Sequence, residues 1–307
     1  MAARRPIHGV FPPIPTTFDG AGQVDRRGLA ENVRRWSRTG LSGVLALGSN
    51  GEAALLDEAE ADVVLETVRE ALPADRLLLA GVGRESTRAT IAAAGRAASR
   101  GADAVLVRTP SAFRTQMTTD ALVAHFMAVA DASPVPILLY NLPGATGFSL
   151  TLPVVERLAH HPNVAGMKET SPDLERLGQF AAVNPARFAV LSGWAPVVYP
   201  ALVAGAAGAI LAVANVAPDV CVAIYEHARA GRHDEALTLQ RQLTPLAQLV
   251  SSVHGVAGLK AALDAAGYHG GHVRAPLLPV SGAVRSEIAA AIAHLQHSAR
   301  VGAVPAS

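Results

Sequence analysis

The chain has 307 residues, with 26 lysines and arginines against 25 acids and a formal net charge of +1. Half of it is apolar and 17% is charged, which excludes a disordered chain and supplies a large core. No basic block or basic-aromatic interleaving marks a nucleic-acid surface, and the single cysteine, Cys221, precludes an internal disulfide and suits a reducing, cytoplasmic setting.

The N-terminal Met1-Ala2-Ala3-Arg4-Arg5-Pro6 is basic, but no long apolar run follows it, so a signal peptide is not expected. Short apolar runs suited to buried parallel strands then recur eight times, at 9–15, 43–48, 77–82, 104–108, 136–140, 164–168, 189–191 and 209–213. Amphipathic stretches at 26–38, 57–72, 86–99, 118–132, 152–160 and 172–183 alternate with them as helices. Asp57 followed by Glu60 reads as a capping box, and Asp75 and Ser86 stand at element starts. Residues 194–218 carry no formal charge and are long enough to span a bilayer. Pro200, Gly205, Gly208, Asn215 and Pro218 divide them into a short helix, a turn and a strand, so no membrane span is expected.

Eight βα units without a composition break predict an α/β fold, a (β/α)8 TIM barrel, and no glycine-rich fingerprint follows the first strand to favour a dinucleotide-binding sheet. The barrel elements are expected over 1–217, a closing helix and C-terminal helical extension over 218–300, and a loose tail over 301–307.

Chemistry in such a barrel gathers at the C-terminal ends of the strands. There the second strand runs into Gly48-Ser49-Asn50-Gly51-Glu52, the fifth into Tyr140-Asn141-Leu142-Pro143, the sixth into Lys168-Glu169-Thr170 and the seventh into Ser192-Gly193-Trp194. Lys168 is one of only two lysines, the other being Lys260, so a lysine at a buried strand end calls for a reason. Apolar surroundings disfavour an ammonium and free the amine to attack carbonyls. The phenol of Tyr140, a hydroxyl and close-approach glycines on the same face make Lys168 a candidate nucleophile, with Thr170 and Gly193 as candidate substrate contacts. Glu52 and Thr170 are each readable as support or as substrate contacts. Cys221 reads as a small helix-face residue and Lys260 as a helical surface lysine.

The combination G-S-N-G-E, Y-N-x-P and G-M-K-E-T, in that order on the second, fifth and sixth strands, resembles the dihydrodipicolinate synthase and N-acetylneuraminate lyase family of pyruvate-dependent class I aldolases. The resemblance runs from Gly9 to about Pro279. It implies a Schiff base between Lys168 and pyruvate or another 2-oxo acid, Tyr140 as the proton-shuttling phenol, Ser49 and Asn50 holding the keto-acid carboxylate, and the carbonyl of Ile210 lining the site. It further implies an aldehyde as second partner, no metal or organic cofactor, and a homotetramer built as a dimer of dimers.

Two positions depart from the synthase pattern. Ala112 stands where synthases carry a relay tyrosine, and Ala145 where they carry an arginine for the carboxylate of aspartate semialdehyde. The stretch 76–87 and the region from Gly258-Leu259-Lys260 to Arg274-Ala275-Pro276 resemble instead the branch that cleaves 4-hydroxy-2-oxoglutarate to pyruvate and glyoxylate. Other 2-oxo-acid aldolases, hydratase-aldolases, sugar-acid dehydratases and the synthase are the alternatives within the family. A catalytically silent 2-oxo-acid-binding barrel is the alternative outside it.

Overall fold

A computed structural model describes residues 5–301, so residues 302–307 of the expected tail lie outside the described residues. The chain runs β1 (Gly9–Phe11), α1 (Arg26–Trp36), β2 (Gly43–Ala46), α2 (Glu58–Ala71), β3 (Leu77–Gly81), α3 (Thr87–Ser99), β4 (Ala104–Arg108) and α4 (Thr119–Ala132). It continues through β5 (Ile137–Asn141), the single turn α5 (Pro143–Thr146), α6 (Leu152–Leu158), β6 (Val164–Glu169), α7 (Leu174–Val183), β7 (Ala189–Ser192), α8 (Val198–Val203) and β8 (Gly208–Ile210). All strand pairs are parallel, in the order β1-β8-β7-β6-β5-β4-β3-β2. The ring closes where the Ser42 and Leu45 amides donate to the carbonyls of Val10 and Pro12, at 3.0 and 2.9 Å, and the Ile14 amide donates to Leu45 at 2.9 Å. The fold is a TIM barrel.

Two strands are shorter than the apolar runs suggest. β1 ends at Phe11 because Pro12, Pro13 and Pro15 have no N–H to give a ladder, although Pro13 still lies beside Leu45. β8 ends at Ile210, and residues 212–215 coil into a 3-10 turn. The buried Asn215 amide fixes that turn by donating to the carbonyls of Pro13 (3.1 Å) and Ala212 (2.9 Å), while the Trp36 indole donates to Asn215 O at 2.9 Å.

The pleat sorts side chains into two cores. Phe11, Leu45, Leu79, Leu106, Leu138, Leu191 and Ile210 fill the barrel, whereas Val44, Leu78, Val105, Val107, Leu139 and Met167 face the helices. The helices start on side-chain caps: Asp25, Ser86, Thr118 and Asp173 each accept an amide three residues on, and Asp57 with Glu60 completes the capping box. Asp75 caps nothing and sits in the turn before β3. After β8 come α9 (Pro218–Arg229), α10 (His233–Gln248), α11 (Gly255–Ala265) and α12 (Gly282–Val301). Ile288, Ile292 and Leu295 bury one face of α12, each stabilising its docking by roughly 1.5–3 kcal/mol. Cys221 lies on the buried face of α9, and burial pushes its thiol far above the usual range. Among the described residues no helix is long and apolar enough to cross a membrane.

Candidate active site

The pairing of β5 with β6 sets Tyr140 directly beside Lys168, both on the inward face near the strand ends. The two side chains are 5% and 6% exposed, and Lys168 Nζ lies 3.4 Å from Tyr140 Oη and 4.5 Å from the ring centroid. An amine and a phenol at this separation can exchange a proton with only a small adjustment.

Next along the ring, β7 contributes space rather than a side chain. A Cβ on Gly193 would fall 2.2 Å from Thr170 Oγ1 and 2.8 Å from Lys168 Cε, so glycine is required for these two side chains to lie where they do. Thr170 Oγ1 is buried and has no protein partner among the described residues, which leaves it available beside the amine. The structure therefore brings Lys168, Tyr140, Thr170 and Gly193 together.

Ser49, Asn50 and Ile210 stand elsewhere on the barrel mouth. β2 is four places from β6 in the ring of eight, so the turn carrying Ser49 and Asn50 faces Lys168 from the opposite wall. As the first residues of a 3-10 turn they present amides that the turn itself leaves free. The turn is flanked by Leu47 and Glu52, the only non-glycine residues with positive φ (55° and 54°) among the described residues. Ile210 closes β8 inside the barrel core.

The strain in that turn is held from several sides. Gly81 packs so closely on the Leu47 carbonyl that a Cβ would approach it to 2.1 Å, and Thr16 Oγ1 donates to Gly51 O at 2.7 Å. Glu52, which is 3% exposed, takes Lys260 Nζ at 2.5 Å and the Arg274 amide at 2.8 Å. Lys260 is thus not the surface lysine its helical position suggests: it is 2% exposed and points from α11 toward the barrel mouth, also donating to His272 O at 2.5 Å. Burial pushes its ammonium pKa down and the Glu52 carboxylate partly opposes this. Arg274 adds a bidentate pair to Glu60 at 2.6 Å on both arms, and both cations lie over the Phe18 ring. Glu52 is therefore an anchor for the turn, a role that sequence reasoning left open.

Glu169, adjacent to the lysine in sequence, faces the other way. It is fully buried behind the sheet, where Asn141 Nδ2 donates to Oε2 at 2.6 Å, and burial raises its pKa despite hydrogen bonds from Ser171 and Asn141.

One inward residue was missed in the sequence. Arg108 follows Ala104 and Leu106 in phase and pairs with Tyr140 across β4 and β5, so it belongs to the ring containing Lys168. The alternation 104-106-108 was the signal that could have found it. A concavity of about 600 Å³ opens at the opposite, N-terminal end of the barrel. Its Asp103 is committed to Arg5, Arg69 and the Leu78 amide, and chemistry in this fold belongs at the other end.

A buried lysine beside a phenol at the C-terminal mouth of a barrel is a candidate site for carbonyl chemistry, and comparison with known proteins supplies the enzyme class, a lyase. Residues 6–295 match the model of the dihydrodipicolinate synthetase family, and the chain belongs to that family. It is similar to a DapA-like lyase of Halobacterium salinarum, with 36% identity over 94% of each chain. It is likewise similar to a probable mitochondrial 4-hydroxy-2-oxoglutarate aldolase of Emericella nidulans, with 35% identity over 95% of this chain and 94% of that one. Among solved structures, the chloride-inhibited dihydrodipicolinate synthase of Acinetobacter baumannii complexed with pyruvate superposes with a TM-score of 0.89 at 29% identity, over 94% of this chain and 99% of that one.

Proposed function

We propose that the protein is a Schiff-base aldolase that cleaves 4-hydroxy-2-oxoglutarate to pyruvate and glyoxylate. The observation that carries this reading is the buried Lys168 Nζ lying 3.4 Å from Tyr140 Oη. The Lys168 amine attacks the C2 ketone, and Tyr140 passes a proton to the departing hydroxyl so that water leaves and an imine remains. The protonated imine draws electrons from the C3–C4 bond as the C4 hydroxyl gives up its proton to the phenolate form of Tyr140. Glyoxylate departs, the enamine is protonated at C3, and water releases pyruvate. The imine is its own electron sink, so no metal or organic cofactor takes part. Ser49 and Asn50 amides hold the C1 carboxylate, with Thr170 beside the reacting carbon. The family resemblance supports a homotetramer, and the single cysteine suits a cytoplasmic setting.

Pyruvate as the imine partner is supported by its presence in the Acinetobacter enzyme and the aldehyde by the Emericella relative, while Ala112 and Ala145 argue against the synthase reaction. Borohydride reduction in the presence of pyruvate should add one reduced pyruvyl group to the peptide containing Lys168, and Lys168→Ala should abolish it. An unmodified Lys168 at saturating pyruvate would sink the proposal. Turnover of 4-hydroxy-2-oxoglutarate should exceed both that of sugar acids and condensation with aspartate semialdehyde, and the reverse order would move the protein to the synthase reading.

A further inference from the structure

We infer that Arg108 is the group that binds the anionic end of the aldehyde fragment, which makes this site selective for substrates with a second carboxylate. The inference rests on the imine chemistry proposed for Lys168 and names what lies at the far end of its substrate.

Four features of Arg108 support it. The inward positions of β4 are Ala104, Leu106 and Arg108, so a guanidinium stands where the two preceding inward residues are apolar. Arg108 is paired in register with Tyr140, which is paired with Lys168, so the three occupy one level of the barrel mouth on three successive strands. Two inter-strand spacings separate the arginine and lysine backbones by roughly 10 Å. A five-carbon 2-oxo acid joined to Nζ, extending past the phenol, can cross what the two long side chains leave.

The guanidinium is also tethered and incompletely used. Arg108 Nη2 donates to Glu85 Oε1 at 3.0 Å, and its other N–H groups meet no acceptor among the described residues. Glu85 is itself fixed, because its Oε2 accepts the amides of Ser111 and Ala112 at 2.8 Å each. Burial works against ionisation of Glu85, but those two amides and Arg108 together hold its carboxyl below the usual range. The loop carrying Ala112 is thus tied to the partner of Arg108. A side chain held on one edge keeps its remaining fork free for a planar anion, the geometry for which arginine is suited. The arrangement gives the site a carboxylate clamp on β4, on the same rim as Ala145, which offers none.

The test compares cleavage of 4-hydroxy-2-oxoglutarate with cleavage of 4-hydroxy-2-oxopentanoate, in which a methyl group replaces the second carboxylate. Arg108→Gln should lower kcat/KM for the dicarboxylate by roughly 10- to 100-fold, the range for a lost charged hydrogen bond, and leave the monocarboxylate nearly unchanged. Arg108→Lys should fall between the two. Arg114→Gln is the control, since Arg114 packs against Gly147 outside the strand ring. Equal losses on both substrates, no loss on either, or a selectivity change carried by Arg114→Gln instead would each overturn the assignment. Borohydride trapping with pyruvate is run on every variant. An intact adduct with unaltered selectivity removes Arg108 alone, whereas no adduct in the parent enzyme removes the reaction and this inference with it.

Discussion

Replacing Lys260 with methionine should destabilise the protein and loosen the turn that bears Ser49 and Asn50. Lys260 Nζ and Glu52 Oε1 are 2.5 Å apart, with side chains 2% and 1% exposed. At an effective dielectric near 20 that separation corresponds to roughly 7 kcal/mol of gross attraction, most of it offset by the cost of removing both ions from water. Truncating one partner leaves the desolvated carboxylate with the Arg274 amide as its remaining hydrogen-bond donor, and such a loss costs about 3–5 kcal/mol. At roughly 2–4 °C per kcal/mol for a chain of comparable size, Tm should fall on the order of 10 °C. Adding Glu52→Gln removes the stranded charge, so the double variant Lys260→Met/Glu52→Gln should recover part of the loss. Because Glu52 is at positive φ and ends the turn proposed to hold the C1 carboxylate, KM for 4-hydroxy-2-oxoglutarate should rise more than kcat falls. Denaturant titration of the parent, both single variants and the double variant measures the coupling. A Lys260→Met variant as stable as the parent, or a double variant worse than the two single losses combined, would refute the view that this pair restrains the turn.

Tyr140→Phe keeps the packing and removes the hydroxyl 3.4 Å from Lys168 Nζ, so kcat should fall by about 10²- to 10⁴-fold while pyruvate is still trapped on Lys168 after long incubation; parent-like turnover in a stopped assay would remove the phenol from the reaction. Gly193→Ala places a methyl 2.2 Å from Thr170 Oγ1 and 2.8 Å from Lys168 Cε, and should cost about 1–3 kcal/mol of stability and slow imine formation. Gly144→Ala, which meets nothing within 4 Å, is its control, and equal behaviour of the two would contradict the crowding described at β7.

Most of the barrel was legible because buried parallel strands and amphipathic helices leave different periods in the sequence. The strand ends were less so. At 12–15 the apolar composition persists while three prolines remove donors, and at 211–213 it persists while Asn215 pulls the backbone into a turn. Lys168 and Tyr140 could be found from their positions at strand ends, since a rare lysine and a phenol stood out against apolar runs. Lys260 could not, because its partner Glu52 is more than 200 residues away and nothing in the α11 sequence marks a cation turned inward. Arg108 was readable in principle from its phase with Leu106, but arginine is so frequent in this chain that one more at a strand end carried no signal.

The pleat also accounts for why each of the two candidate motifs pairs an inward with an outward polar residue. On β5 and β6 the register pairs Tyr140 with Lys168 and, one step on, Asn141 with Glu169. The first pair faces into the barrel and meets as phenol and amine; the second faces the helices, where Asn141 joins Glu169 at 2.6 Å and accepts the Leu150 amide at 2.9 Å. A slip of one residue between these strands would turn each side chain to the opposite face and separate Oη from Nζ. It would also set Asn141 against the barrel interior and take from the buried Glu169 one of its donors, an outcome costing about 1–3 kcal/mol. The outward pair therefore opposes the one misalignment that would disarm the inward pair, and burial of Glu169 makes that restraint stronger because no water can replace the Asn141 amide there.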